Sequence, residues 1–400
     1  MRILFVHEVS YRKKVIYEMH EFPEILSLRG HEITFLEFDE GRKFWQAKQA
    51  PKREMISGRV HSQSKVDLNR PFQLGIPGLD RLLAALTVIP TLNSLLRRGS
   101  FDAVVLYAVP TYGLQTLWLA KKHDVPVVFR ALDVSHKIRS SFLSPAIKWV
   151  ERLIYKQVDL LSANNPAMAD YCQELGKRIK ATLVHYPPLD LSHFQNAKRD
   201  QGLRQSLGLS DTDQVLVYMG SFFYFSGLKA ALKEFANLVA NNRKFKFLLI
   251  GGGEQDFELR KLVQENGIQD QVVFTGFIEY RELPRYLKLA DVAVTTLEPT
   301  LVANVAFPNK VLQYMAAGLP VVSTRLKGLH QTFAEDSGIA WADDAEAVIK
   351  AAIQLVDKED VELAQIGLMQ LSAVSKHFSV ESAVDRFEET LTNISGKRSK

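Results

Sequence analysis

Short apolar runs alternate with helix-period segments along the whole chain, and this predicts an α/β fold of two parallel-sheet domains facing each other across a cleft. Length agrees, since 400 residues suffice for two hydrophobic cores. A break agrees too: Tyr186-Pro187-Pro188-Leu189-Asp190 stops regular structure, and the polar run Gln195 to Ser210 leads into a new strand. The expected domains are residues 1–195 and 210–378, followed by a C-terminal helix and tail over 379–400.

Taken in order, the first domain should hold strands Ile3–His7, Glu32–Leu36, Ala103–Tyr107, Val125–Arg130, Leu160–Ala163 and Ala181–His185. Its helices are expected at Glu21–Leu28, Tyr112–Lys121, Pro145–Lys156 and Ala167–Leu175. The second domain restarts with strands Gln214–Met219, Phe245–Gly251, Val272–Thr275, Val292–Thr295, Val321–Thr324 and Gly338–Trp341. Helices Leu228–Asn241, Phe257–Gly267, Glu282–Leu289, Asn309–Ala317 and Ala345–Leu355 separate them. No internal period points to a solenoid.

Composition is that of a soluble globular protein, 46% hydrophobic and 24% charged. No apolar run approaches the ~20 residues that span a bilayer. The start, Met1 to Val6, reads as a strand rather than a signal peptide. The single cysteine, Cys172, excludes an intramolecular disulfide and a cysteine-built zinc cluster, so a cytoplasmic location is expected.

Charge is uneven. Residues 1–200 hold 29 Lys+Arg against 20 Asp+Glu, net +9, and residues 201–400 hold 21 against 25, net −4. Most of the excess lies between Arg42 and Arg98, with 11 basic and 3 acidic residues, around the apolar stretch Leu82 to Leu96. One reading is a solvated loop followed by a core helix. The other is a basic, partly apolar surface for anionic lipid headgroups, at the inner membrane face, or for an anionic acceptor. Nucleic acid is excluded as a partner, because no binding motif or interleaved stacking platform accompanies the cations.

The most informative stretch is 307–322, Phe-Pro-Asn-Lys-Val-Leu-Gln-Tyr-Met-Ala-Ala-Gly-Leu-Pro-Val-Val. Pro308 and Asn309 are turn and N-cap types, and Lys310 starts a helix whose N–H groups and dipole favour an anion. Gln313 shares a face with Lys310, and Gly318 ends the helix. That arrangement suits a nucleoside diphosphate, with lysine on the phosphates and the amide on a ribose hydroxyl. Three further glycine turns end strands: Tyr218-Met219-Gly220-Ser221, with Gly227 seven residues after Gly220; Ile250-Gly251-Gly252-Gly253-Glu254; and Phe274-Thr275-Gly276-Phe277. Each can be a plain turn or a close approach to phosphate. Their coincidence at one sheet edge argues for a diphosphate pocket. Neither the Gly-x-Gly-x-x-Gly nor the Walker pattern is present. Phe222 to Phe225 can line a pocket, contact lipid or pack locally.

In this order the pieces resemble the donor domain of group 1 (family 4) glycosyltransferases, whose GT-B fold has two Rossmann-like domains. Leu-Ala-Asp-Val at 289–292 and Ala-Gly-Leu-Pro-Val-Val at 317–322 complete the match. Val-Asp-Leu-Leu-Ser at 158–162 and the 187–194 segment extend it to the first half. His377-Phe378-Ser379 and helix Glu381–Leu391 resemble the family's C-terminal helix, which returns to the first domain. The resemblance implies retaining transfer of a sugar from a nucleotide-sugar co-substrate to a glycan or lipid-linked acceptor, with no metal and no covalent cofactor. It implies donor contacts at Gly220, Ser221, Gly227, Gly252, Gly276, Asn309, Lys310 and Gln313.

The chain also departs from the family pattern. Of the two glutamates the family often carries eight residues apart, the first falls at Val305 and the second at Gln313. Ser226 replaces a basic residue before Gly227, so Lys229 either reaches in or points to solvent. The family's first-domain histidine falls near Leu132, and Asp133 and His136 are the candidates to take over contacts with sugar or acceptor. A helix cap and a surface histidine are the competing readings. Two hypotheses stand: an active glycosyltransferase with a variant pocket, or a catalytically degenerate nucleotide-sugar-binding scaffold subunit. An epimerase lacks its extra acids here, and a phosphorylase its length and pyridoxal lysine.

Overall fold

The computed structural model describes residues 1–39, 53–73, 80–138, 143–240, 242, 244–333 and 335–396. Residues 42–52 and 74–79 of the basic stretch, and the tail 397–400, lie outside them. The chain divides into two compact units, Met1–Pro188 with Val380–Lys400, and Leu189–Ser379.

The first unit is built on strands β1 (Arg2–Val6), β2 (Glu32–Leu36), β3 (Arg53–Ser57), β4 (Lys65–Asn69), β5 (Ala103–Leu106), β6 (Val127–Ala131), β7 (Leu160–Ala163) and β8 (Thr182–Val184). Their order in the sheet is β3-β4-β2-β1-β5-β6-β7-β8. All pairs are parallel except β3 with β4. The interior strands read as unbroken apolar runs because helices cover both faces. The β3–β4 hairpin corrects the loop reading of the basic stretch. Its alternating pattern, exposed Met55 beside buried Ile56, belongs to an edge strand with one buried face. The stretch Leu82 to Leu96 is helical, within Asp80–Gly99.

Helix Val380–Gly396 belongs to this unit. Phe387 packs on Phe22 at 4.5 Å between ring centroids. Glu388 takes His31 at 2.6 Å and Arg29 at 2.7 Å. Thr390 meets His185 at 2.9 Å.

The second unit has strands β9 (Gln214–Met219), β10 (Phe245–Ile250), β11 (Val272–Gly276), β12 (Val292–Thr295), β13 (Val321–Thr324) and β14 (Ala340–Ala342). They form an all-parallel sheet in the order β11-β10-β9-β12-β13-β14. The unit differs from the sequence reading in its start and in helices that were not expected, among them Gln201–Ser206, Leu301–Val305 and Lys327–Phe333. Residues 189–195 belong here rather than with 1–188, because His193 stacks on Tyr280 at 5.0 Å and Phe194 packs against the same ring. A helix not anticipated, Asp360–Phe378, covers Gly318 so closely that a Cβ on Gly367 would lie 2.2 Å from the Gly318 carbonyl oxygen. The chain leaves and enters this unit at one place, where Leu189 N–H donates to the Phe378 carbonyl at 2.7 Å.

Candidate functional site

In open parallel sheets ligands bind beyond the carboxyl ends of the strands, where strand order reverses. In the second unit that point lies between β9 and β12. Strands β9, β10 and β11 each end in a glycine turn, and the turns are hydrogen-bonded to one another. Gly220 N–H donates to Ile250 O at 2.8 Å, Phe222 N–H to Gly252 O at 3.0 Å, and Gly251 N–H to Gly276 O at 2.9 Å. Two of these positions require glycine. Gly251 has φ +129, and a Cβ on it would lie 2.1 Å from the Gly220 oxygen. Gly220 has φ +131, and a Cβ there would lie 2.9 Å from Lys310 Nζ.

Lys310 therefore stands directly over the first turn. Its helix, Asn309–Ala316, runs from β12 back to β13 and is fixed by Tyr314, whose hydroxyl accepts the Met219 N–H at 2.6 Å. Pro308, not Asn309, is the N-cap; it has no side-chain acceptor, so the first N–H groups of the helix have no side-chain cap. The Lys310 ammonium lies 3.8 Å from the centroid of the Tyr218 ring. Among the described residues it has no ion pair and no hydrogen-bond acceptor. Burial pushes its pKa down to about 7. A cation held on an aromatic face with no anion is a binding point for an anionic ligand.

The structure thus brings Gly220, Ser221, Gly252, Gly276, Asn309, Lys310 and Gln313 to one end of the sheet. Gln313 follows Lys310 by one turn and is half-buried. Gly227 serves the packing, since a Cβ on it would lie 1.9 Å from the Thr296 oxygen. Lys229 is exposed and ion-paired with Glu258. Of the aromatic run, Phe222 is core and packs against Phe274, while Phe223 and Tyr224 remain exposed. Val305 is buried and apolar. Sequence reading missed Tyr218. The signal was an aromatic residue two positions before the turn glycine.

In the first unit the corresponding end of β1, β5 and β6 carries buried polar groups. Asp133 and His136 have separate surroundings there. Asp133 keeps an exposed surface, yet desolvation by the surrounding protein, with Glu18 adding and Lys14 opposing, lifts its carboxyl to about 6. His136 is buried, with Nδ1 2.8 Å from a Glu151 oxygen. Glu151 is also held by Tyr155 and by the Ser135 N–H. Sequence reading missed the rest of this end. His7 stacks on Tyr107 at 5.0 Å, and burial, with Lys14, His20 and Arg81, pushes its pKa down to about 3. Glu8 accepts the N–H groups of Thr111 and Tyr112 at 2.6 and 2.8 Å. Glu18 takes Arg130 at 2.6 Å through both carboxylate oxygens.

Two doubly wound sheets, one with a lysine-bearing helix over interlocked glycine turns, define a protein of GT-B fold. The solved structure of HepE from Anabaena in complex with UDP has that fold; it aligns with a TM-score of 0.75 at 18% identity, over 98% of this chain and 100% of the other. The family model described as glycosyl transferases group 1 matches residues 213–358, and that of the glycosyl transferase 4-like domain matches 24–189. The chain belongs to the group 1 (family 4) glycosyltransferases. It is 25% identical over 376 residues to N-acetyl-alpha-D-glucosaminyl L-malate synthase of Bacillus anthracis, covering 92% of this chain and 91% of that one. It is 25% identical over 223 residues to alpha-monoglucosyldiacylglycerol synthase of Streptococcus pneumoniae, covering 53% of this chain and about half (49%) of that protein's length.

Proposed function

We propose that the protein moves a sugar from a nucleotide-sugar to a polysaccharide, glycolipid or similar acceptor, with retention at the anomeric carbon and without a metal. The observation that carries this reading is the Lys310 ammonium over Tyr218, beside the Gly220 turn and without an anionic partner among the described residues. The donor's diphosphate is the partner that fits. As the glycosidic bond breaks, positive charge grows on the sugar ring and negative charge on the departing diphosphate. A cation fixed before the reaction stabilises that charge with little reorganisation. The uncapped N–H groups at Asn309 and Lys310 add to it, and Gln313 reaches a ribose hydroxyl without adding charge. Asp133 and His136 are assigned to the acceptor side, where a carboxyl lifted to about 6 is suited to proton transfer. UDP in the HepE structure favours a uridine donor. The name of the pneumococcal relative favours a lipid-borne acceptor. The proposed location is the cytoplasm, at the inner membrane face; no helix of the described residues is long and apolar enough to cross a membrane.

The test is a thermal-shift screen against UDP-, GDP-, ADP-, CMP- and dTDP-sugars, with and without magnesium or EDTA. Stabilisation by one nucleotide family, independent of metal, is expected. Product anomers read by NMR then check retention. A folded sample that responds to none of them would favour the second reading, a scaffold without turnover, which the apolar Val305 and uncharged Gln313 support.

A further inference from the structure

We infer that helices Asp80–Gly99, Gly113–Lys122 and Ser144–Gln157 form one docking face for an anionic lipid bilayer. This rests on the reading of a lipid-borne acceptor and gives it a surface.

The three helices lie side by side on one face of the first sheet. Gln115 donates to the Ala85 carbonyl at 2.9 Å, and His123 meets Asn93 at 2.8 Å. Gly113 approaches the third helix so closely that a Cβ there would lie 2.4 Å from Ile154 Cδ1. Their buried residues, among them Val88, Leu92, Leu119 and Ile154, face the core. Their outward residues are unusual for a solvated surface. Leu82 is 63% exposed, Leu86 67%, Trp118 59% and Trp149 60%. Single exposed apolar residues need no explanation, but two tryptophans and two leucines on adjoining helices do.

Charge selects the partner. The three helices carry eight Lys+Arg against Asp80 and Glu151, and Glu151 is buried against His136. Among the described residues Arg97, Arg98, Lys121, Lys148 and Lys156 have no ion pair, and Lys122 lies 5.9 Å over the Trp118 ring. Several other described cations of this unit are held internally instead. Arg53 pairs with Asp67, Arg70 with Glu37, and Arg81 with Glu8, while Arg59 is held by the carbonyls of Tyr11 and Lys14. Arg97 and Arg98, at the end of the basic stretch, are exposed on the first helix, and Lys121, Lys148 and Lys156 add exposed or half-exposed cations on the other two. Tryptophan prefers the headgroup layer, lysine stems lie along apolar surface with the ammonium in water, and anionic leaflets attract such clusters. A broad face of scattered cations and indoles matches a planar lipid surface better than the groove an acidic helix would fill.

The experiment is flotation of the full chain with vesicles of phosphatidylcholine alone and of phosphatidylcholine mixed with phosphatidylglycerol, at low and raised salt. Binding to the anionic vesicles alone, weakened by salt and accompanied by a blue shift of tryptophan emission, is expected. Lys121→Glu with Lys148→Glu should lower partitioning by at least about five-fold per cation removed. Trp118→Ser with Trp149→Ser should abolish the emission shift. Equal binding to both vesicles, no binding, or variants that float like wild type would overturn the proposal. So would variants that change only the oligomeric state, which assigns the face to a protein contact. A nucleotide-sugar thermal shift on the same samples separates the two readings. A chain that binds donor but not vesicles loses only this surface, and one that floats but binds no donor loses the transferase reading.

Discussion

The ammonium of Lys310 sits 3.8 Å from the centre of the Tyr218 ring, one residue on the helix Asn309–Ala316 and the other on β9. The two elements are far apart in sequence and meet because β9 and β12 are neighbours in the sheet. A desolvated cation on an aromatic face gains about 2 kcal/mol or more from the ring quadrupole. That does not replace a counter-ion, and the lowered pKa records the deficit.

Removing the ammonium should therefore weaken donor binding. Lys310→Ala is expected to cost about 1.5–3 kcal/mol of nucleotide-sugar affinity, as for a charge-assisted contact. Calorimetric titration checks this, and unchanged affinity would remove Lys310 from the site.

Affinity should also depend on pH with a defined sign. With a pKa of about 7 in the free protein, Lys310 is largely neutral above pH 7. A bound diphosphate restores the charge, so binding takes up a proton and weakens as pH rises above 7. Titrations in buffers of different ionisation enthalpy measure the proton directly. For the ligand-free fold the same group acts oppositely. Its folded pKa lies below the unfolded value, so its contribution to stability rises with pH from about 7 to ~10.4.

Gly220→Ala tests the turn without touching a charge. The backbone at φ +131 disfavours a side chain, and the added methyl meets Lys310 Nζ. A loss of about 1–3 kcal/mol in stability is expected, with donor affinity falling further because the lysine is displaced. Denaturation and calorimetry on one sample separate the two effects. Wild-type affinity would show that the lysine does not need its place over this turn.

The pair Glu18 and Arg130 anchors the corresponding end of the first unit. Both are buried, and Arg130 also donates to Ser162, whose hydroxyl meets His185, which meets Thr390. Arg130→Met leaves Glu18 uncompensated and should destabilise by about 3–5 kcal/mol. The double change Glu18→Met with Arg130→Met should recover most of that. Chemical denaturation tests it; a single change as mild as the double one would mean the pair does not act as a unit.

The strand runs of both sheets were legible from sequence because a strand covered on both faces is apolar without interruption. The hairpin β3–β4 was not legible, since an edge strand with polar residues on one side resembles a loop. Helix Asp360–Phe378 was missed because its apolar residues are spread around it, with Val361, Leu368 and Met369 exposed, rather than gathered on one face, and Gly367 within it is explained only by the closeness of Gly318. Lys310 and the glycine turns were legible because helix starts and left-handed backbone restrict residue type. Tyr218 carried no such mark, because a buried aromatic in a strand reads as core. Lys229 looked available in sequence and is paired with Glu258 in the structure. The ion pair joins residues of two helices that the sequence places 29 positions apart.

The sequence by itself determined the two-sheet α/β architecture, the glycine turns and the lysine-bearing helix, because these rest on periodicity and on local backbone rules, and the order of its motifs carried the resemblance to the family. Only the tertiary structure decided which charges remain unpaired. Arg53, Arg70 and Arg81 are paired within the first unit, whereas Lys121 and Lys148 are exposed on the helices that carry Trp118 and Trp149. Pairing depends on which side chains the sheet order brings within a few ångströms, and net charge along a chain does not encode that distance.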